Sequence, residues 1–186
     1  MSDLEILTVD NPTQLAILRS KAKKVQRVTP KMAALAERML ETMRQANGVG
    51  LAAPQVGVLQ RLFVVELPED EENNQPAETY ILFNPEIVKG HGEQIGYEGC
   101  LSIPGYIGEV ARQEQITVQG LNEKGRPARY KLDGYLARVF QHEIDHLDGI
   151  LYTDRLTDPE TFQPVEIDQE EMAELEAARE QEAVAP

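Results

Sequence analysis

The segment His142-Glu143-Ile144-Asp145-His146 is the part of this sequence best suited to chemistry. Residues four apart on a helix project from one face, so both imidazoles can converge on one metal ion. Glu143, next to the first histidine, can then reach a water beside that ion as general base. The chain has only 3 histidines, and two of them make this pair. A catalytic site of this kind needs three protein ligands and an open position. A third histidine six residues after His146 is excluded, because Tyr152 stands there. Glu166, twenty residues downstream, is one candidate and would make the chain an HExxH endopeptidase. Cys100, the lone cysteine, is another, since a thiolate binds soft and borderline divalent metals.

Cys100 sits in Tyr97-Glu-Gly-Cys-Leu-Ser-Ile-Pro-Gly105, a turn-rich stretch in which Gly99 permits close backbone approach. The amide of Leu101, just after the cysteine, can face an oxyanion. A third segment, Gly48-Val-Gly-Leu-Ala-Ala-Pro-Gln55, keeps its backbone accessible and offers the Gln55 amide. Taken alone it is a tight loop, and it lacks the Gly-Lys-Ser/Thr of a phosphate-binding loop.

In this order and spacing the three segments resemble the peptide deformylase family: Gly48 to Gln55, Glu98 to Ser102, and His142 to His146. The similarity runs from about Asp10 to Leu156. The resemblance implies an α+β fold, with antiparallel sheets packed around the helix that carries the histidines. It implies hydrolysis of the formyl group from the N-terminal formylmethionine of newly made proteins, with release of formate. Cys100, His142 and His146 would bind one divalent metal ion with water as fourth ligand. That metal is usually ferrous iron (Fe2+), with zinc (Zn2+), nickel (Ni2+) or cobalt (Co2+) able to replace it. The metal would acidify its water; Glu143 would take the proton and later pass it to the leaving amine. Gln55 and the Leu101 N–H would stabilise the oxyanion, and backbone around Gly50 would pair with the substrate as an added strand. Val49, Ile144 and part of the Cys100 segment would form the methionine pocket. Asp145 is read as orienting the helix or a neighbouring partner rather than as a ligand. The partners implied are N-formylmethionyl nascent polypeptides and, transiently, the ribosome. Two departures stand out. Gly105-Tyr106-Ile107 replaces the basic residue that many relatives carry there, and the acidic tail replaces the basic ribosome-docking helix of some.

These motifs need elements to carry them. Thr29-Pro30 opens a helix bearing Met32, Leu35, Met39 and Met43, with Gly48 as its stop. Leu62–Val65 and Tyr80–Phe83 read as strands, with Pro85 close behind the second. Asn122–Gly125 reads as a hairpin connection between Ile116/Val118 and Tyr130/Leu132. Asp133-Gly134 precedes the histidine helix, in which Leu136, Val139, Phe140 and Leu147 share a side and Gly149 ends the element. Helix, strands, then helix is an α+β order.

The 186 residues include 32 acids and 18 bases, for a net charge of −14. Residues 66–78 hold −6 and residues 158–186 hold −9, so everything else sums to +1. The acidic balance argues against nonspecific or direct sequence-specific nucleic-acid binding and against an anionic membrane. The division expected is a catalytic domain over 1–157 and an acidic extension over 158–186, helical around Met172 and Leu175 or disordered. A non-enzymatic reading, with the tail binding a basic partner, requires a structural metal with four protein ligands. One cysteine, no bilayer-length apolar run and an acidic N-terminus fit the cytoplasm, or an organelle stroma or matrix if a precursor was processed.

Overall fold

The computed structural model describes residues 4–69 and 76–165. Most of the acidic 68–76 loop, Glu166 and the expected helix around Met172 and Leu175 lie outside the described residues. Among the described residues, two antiparallel sheets and three α-helices account for the fold. Helix α1 (Pro12–Leu18) and helix α2 (Pro30–Gln45) precede strands β1 (Gly50–Ala52), β2 (Leu62–Leu67) and β3 (Glu78–His91). Strands β4 (Gln94–Cys100), β5 (Ile103–Arg112), β6 (Gln115–Leu121) and β7 (Pro127–Asp133) follow, then helix α3 (Gly134–Leu147) and strand β8 (Gln163–Pro164). One sheet has the order β1-β2-β3-β6-β7, the other β4-β5-β8.

The apolar run Leu62–Val65 shows no alternation because β2 is buried on both faces. Phe63 and Val65 join the core under α3, whereas Leu62 and Val64 join the core under α2. On α3, Phe140 is fully buried and meets Phe63, Tyr80 and Tyr130 edge-on, with the Phe63 ring centroid 5.0 Å away. That aromatic cluster fixes the rotation of α3, and with it the direction of the two histidines.

Local chemistry sets the element ends. The Thr29 hydroxyl accepts from Met32 N–H at the start of α2, as the sequence indicates. At the other end the left-handed residue is Asn47 (φ 52), not the expected Gly48. Gly48 instead permits close packing, since a Cβ there would lie 2.7 Å from Leu101 Cδ1. Strand β3 continues through Pro85 by way of a register shift between Phe83 and Glu86. Asn84 (φ 51) sits in that bulge and ties itself to Val25 through both backbone groups, each at 2.8 Å. The fold also continues beyond residue 157. Strand β8 pairs with β5, Val165 N–H donates to Gly105 C=O at 2.9 Å, and the Phe162 ring stacks on Tyr106 at 4.9 Å. The change in charge at residue 158 therefore does not mark the edge of the fold.

Glu66 on β2 joins the end of α2 to the sheet just before the strand that borders the site. Its carboxylate accepts two 2.7 Å hydrogen bonds from Arg44 and one from Thr79, while its N–H donates to Val49 C=O. The Arg44 bonds, more than the Thr79 hydroxyl, hold its pKa down at about 2. A depressed carboxyl pKa stabilises the fold above the ordinary carboxylate range, and that contribution is lost as pH falls through the folded value. Because Arg44 is half exposed, Glu66→Gln is expected to cost no more than about 1 kcal/mol at neutral pH. In urea unfolding the difference from wild type should shrink as the pH approaches about 2.

Candidate metal centre

The three candidate ligands arrive from two elements. Cys100 ends β4, where the register shifts between Gly99 and Cys100, and His142 and His146 lie one turn apart on α3. Their ligand atoms all lie within 4.8 Å of one another. Cys100 Sγ is 3.2 Å from His146 Nε2, which is 3.2 Å from His142 Nε2. Two ligand nitrogens at metal–nitrogen distances of about 2.0–2.1 Å in a tetrahedron are about 3.3–3.4 Å apart. One thiol and two imidazoles at this spacing suit a borderline divalent ion.

The electrostatics of the ion-free cluster agree. Burial opposes protonation of His142, but its bonds to Cys100 and Glu98 outweigh that and raise its pKa well above the usual histidine value. Burial, followed by the neighbouring His142 charge, drives His146 well below it. Burial pushes the Glu143 carboxyl up to about 7, and its Oε2 is buried with no partner among the described residues. Glu143 lines the cleft that the ligands border. A buried acceptor left open in this way is costly unless something fills it in the working protein.

His142 is oriented from behind. Its Nδ1 lies 2.9 Å from Glu98 Oε2, which leaves Nε2 for the ion. Glu98 is itself buried and is bound bidentately by Arg112, with both distances 2.8 Å. Arg138, one turn before His142 on α3, donates to Glu98 Oε1 at 2.8 Å and to the carbonyls of Gly96, Val110 and Gln94. Arg112 also reaches Asp145, which accepts a further pair of bonds from Arg155. Asp145 therefore braces the helix, and it is absent from the ligand cluster.

Gln55 is fixed at both ends of its amide. Its Oε1 accepts from Ala52 N–H at 2.8 Å, which directs Nε2 to Ser102 Oγ at 3.2 Å and Cys100 Sγ at 3.5 Å. Val49, Gly50, Leu101 and Glu143 line a cleft of about 510 Å3 together with the Cys100 and His142 side chains. The cleft is the size of a small-ligand site. Strand β1 is the outer strand of its sheet, so Gly50 presents an unpaired backbone edge there. A Cβ at Gly50 would collide with the Glu143 carboxylate.

One expected pocket residue is elsewhere. Ile144 packs into the core beneath α3 and borders a separate recess beside Arg112 and Asp145. It lies two residues from His142, about 200° around the helix, so it points away from the ligands. Val139, one turn before His142, lines the cleft in its place, and helical spacing alone could have identified it. Tyr135, one turn before Val139 on α3, borders the cleft as well, and Tyr97, Tyr106 and Val165 join it from strands and the end of β8, whose proximity no local pattern announces.

Arg138→Met removes one of the two guanidinium groups that hold Glu98 against His142 while leaving the Arg112 pair intact. Zinc affinity measured by chelator competition should fall about tenfold or more, with the far-ultraviolet circular dichroism retained. Unchanged affinity would show that Arg138 serves packing alone.

The comparisons with known proteins agree with this geometry. A family model described as polypeptide deformylase matches residues 3–162. A peptide deformylase of Thermomicrobium roseum is 49% identical over 84% of this chain and 90% of its own length. One of Symbiobacterium thermophilum is 50% identical over 96% of this chain and 76% of its own. Among solved structures, the peptide deformylase of Thermus thermophilus superimposes with a TM-score of 0.75 at 44% identity, covering 96% of this chain and 94% of that one. With its metal-ligand cluster, cleft and sheet order in place, the chain belongs to the polypeptide deformylase family.

Proposed function

We propose that this protein hydrolyses the formyl group from the N-terminal formylmethionine of newly synthesised proteins, releasing formate. The observation that carries the reading is the convergence of Cys100, His142 and His146 beside the unpartnered Glu143 carboxylate, in a cleft bordered by the free edge of β1. Cys100, His142 and His146 would hold a divalent ion, Fe2+ in the cell with Zn2+, Ni2+ or Co2+ as substitutes, and that ion would supply Lewis acidity. Glu143 takes the proton of the attacking water and returns it to the leaving amine, so one carboxylate serves as base and then acid. The Gln55 Nε2 and the Leu101 N–H stabilise the negative oxygen that develops at the formyl carbon.

The substrate backbone adds to β1 at Gly50 as a further strand, which orients the formyl group towards Glu143. Val49 and Val139 belong to the apolar surface that receives the methionine side chain. An endopeptidase with Glu166 as third ligand is disfavoured, since Cys100 completes a three-ligand set and the family is that of deformylases. Newly synthesised substrates support a location in the cytoplasm or an organelle stroma or matrix, and no described helix is long and apolar enough to cross a membrane.

Glu143→Ala is expected to keep the metal while formate release from a formyl-Met peptide falls at least about hundredfold. Gly50→Ala should also retain the metal and lose activity, because the new methyl group displaces the Glu143 carboxylate. Metal analysis coupled to a formate assay checks both, and full activity in Glu143→Ala would overturn the base assignment.

A further inference from the structure

A net charge of −14 conceals a basic face away from the cleft. Residues 19–31 contain Arg19, Lys21, Lys23, Lys24, Arg27 and Lys31, and residues 124–131 contain Lys124, Arg126, Arg129 and Lys131. Neither segment contains an acid, and all ten bases are exposed. Together they hold ten of the 18 lysines and arginines of the chain.

The fold brings the two segments together. Gly125, at the tip of the β6–β7 hairpin, lies against Val28, where an added Cβ would be 3.4 Å from the Val28 Cβ. Lys24 and Arg129 border one groove on the sheet, along with Asn84 and Gln119. Gln119 faces Arg129 on β7 and Glu86 on β3 in register, so this row runs straight across three strands. Helix α2 covers β1 and β2 but leaves this part of the sheet open.

Seven of these ten cations are unpaired among the described residues, as is Lys89 on β3. Arg19 and Lys21 pair with Asp154 and Asp148, and Lys124 lies 3.8 Å from Glu123. Lys23, Lys24, Arg27 and Lys31 make no ion pair with another described residue, and neither do Arg126, Arg129 and Lys131. Elsewhere Arg44, Arg61, Arg112, Arg138 and Arg155 are each matched to a carboxylate. The one acid in the groove, Glu86, accepts from Gln119 at 3.3 Å.

We propose that the face formed by residues 23–31 and 124–131 docks on the phosphate backbone of RNA. Seven unpaired cations, split between lysines and arginines and flanked by side-chain amides, match a row of phosphates and offer no code for bases. A lipid surface fits less well, because none of the exposed large apolar residues, Val88, Ile95, Tyr97, Tyr106, Tyr135, Phe162 and Val165, falls in either basic segment or borders the Lys24–Arg129 groove. The choice of RNA over other phosphate polymers rests on the deformylase reading, whose substrates are newly made proteins. The docking itself does not depend on it. The acidic segments keep the affinity modest and make it strongly dependent on salt.

The test is binding of the full-length, metal-loaded protein to a fluorescent duplex RNA hairpin across a salt series, beside the variant Lys24→Gln/Arg27→Gln/Arg126→Gln/Arg129→Gln. With four phosphate contacts, raising salt from about 50 to about 200 mM should weaken wild-type binding about 100-fold. The variant should bind at least tenfold more weakly at low salt, with a shallower salt slope. Formate release from a short formyl-Met peptide should be equal in the two proteins, which separates loss of docking from misfolding and from failure of the deformylase reading. Three results would overturn the proposal: no binding to RNA at low salt, equal binding by the variant, or binding to anionic phosphatidylglycerol vesicles but not to RNA.

Discussion

The carboxylate of Glu98 must be buried and charged at once, and much of the architecture answers that requirement. A buried carboxylate is tolerated when its partners are complete and fixed. Here Arg112 comes from β5, Arg138 from α3, and His142 uses the remaining lone pair. Asp145 repeats the arrangement one turn further along, between Arg112 and Arg155. Two acids and three arginines thus lock β4, β5, α3 and the turn after α3 into one unit. Rotating α3 would break the ionic network on one side and the Phe140 aromatic cluster on the other. The two histidines therefore face Cys100 as a consequence of packing remote from the ligand atoms.

Much of this was legible in the sequence, and the limits have physical causes. His142 and His146 share a face because helical periodicity is local, and the hairpin at Asn122–Gly125 is local as well. Asn122 Oδ1 accepts from Lys124 and Arg126 N–H there, a turn device that its residue type announces. Arg112, Arg138 and Arg155 look like ordinary surface charges, since only tertiary contact shows that each has a buried acid to neutralise. The family resemblance implies a pocket that includes Ile144, whereas helix geometry puts Val139 there. The expected boundary at residue 157 followed charge, yet Phe162 and Val165 are held by ring stacking and a backbone hydrogen bond, to which acidity is irrelevant.

Charge illustrates the same point at a larger scale. The total of −14 is arithmetic over the chain, while a partner meets a local surface. Arg112 and Arg138 in the interior are consumed by carboxylates, and seven unpaired cations gather where residues 23–31 meet the β6–β7 hairpin. The cleft, bordered by Val49, Val139 and the tyrosines, depends on shape and on the unpaired edge of β1. One fold thus separates an apolar catalytic cleft from a basic face. The whole-chain sum describes neither.

The ligand set is the claim on which the rest depends, and X-ray absorption of the metal-loaded protein tests it most directly. Cys100, His142 and His146 predict one sulfur at about 2.3 Å and two imidazole nitrogens at about 2.0–2.1 Å, with the remaining scatterer a light atom from solvent. The sulfur contribution should vanish in Cys100→Ser. A spectrum without sulfur in the wild-type protein, or one that requires a fourth protein ligand, would contradict it.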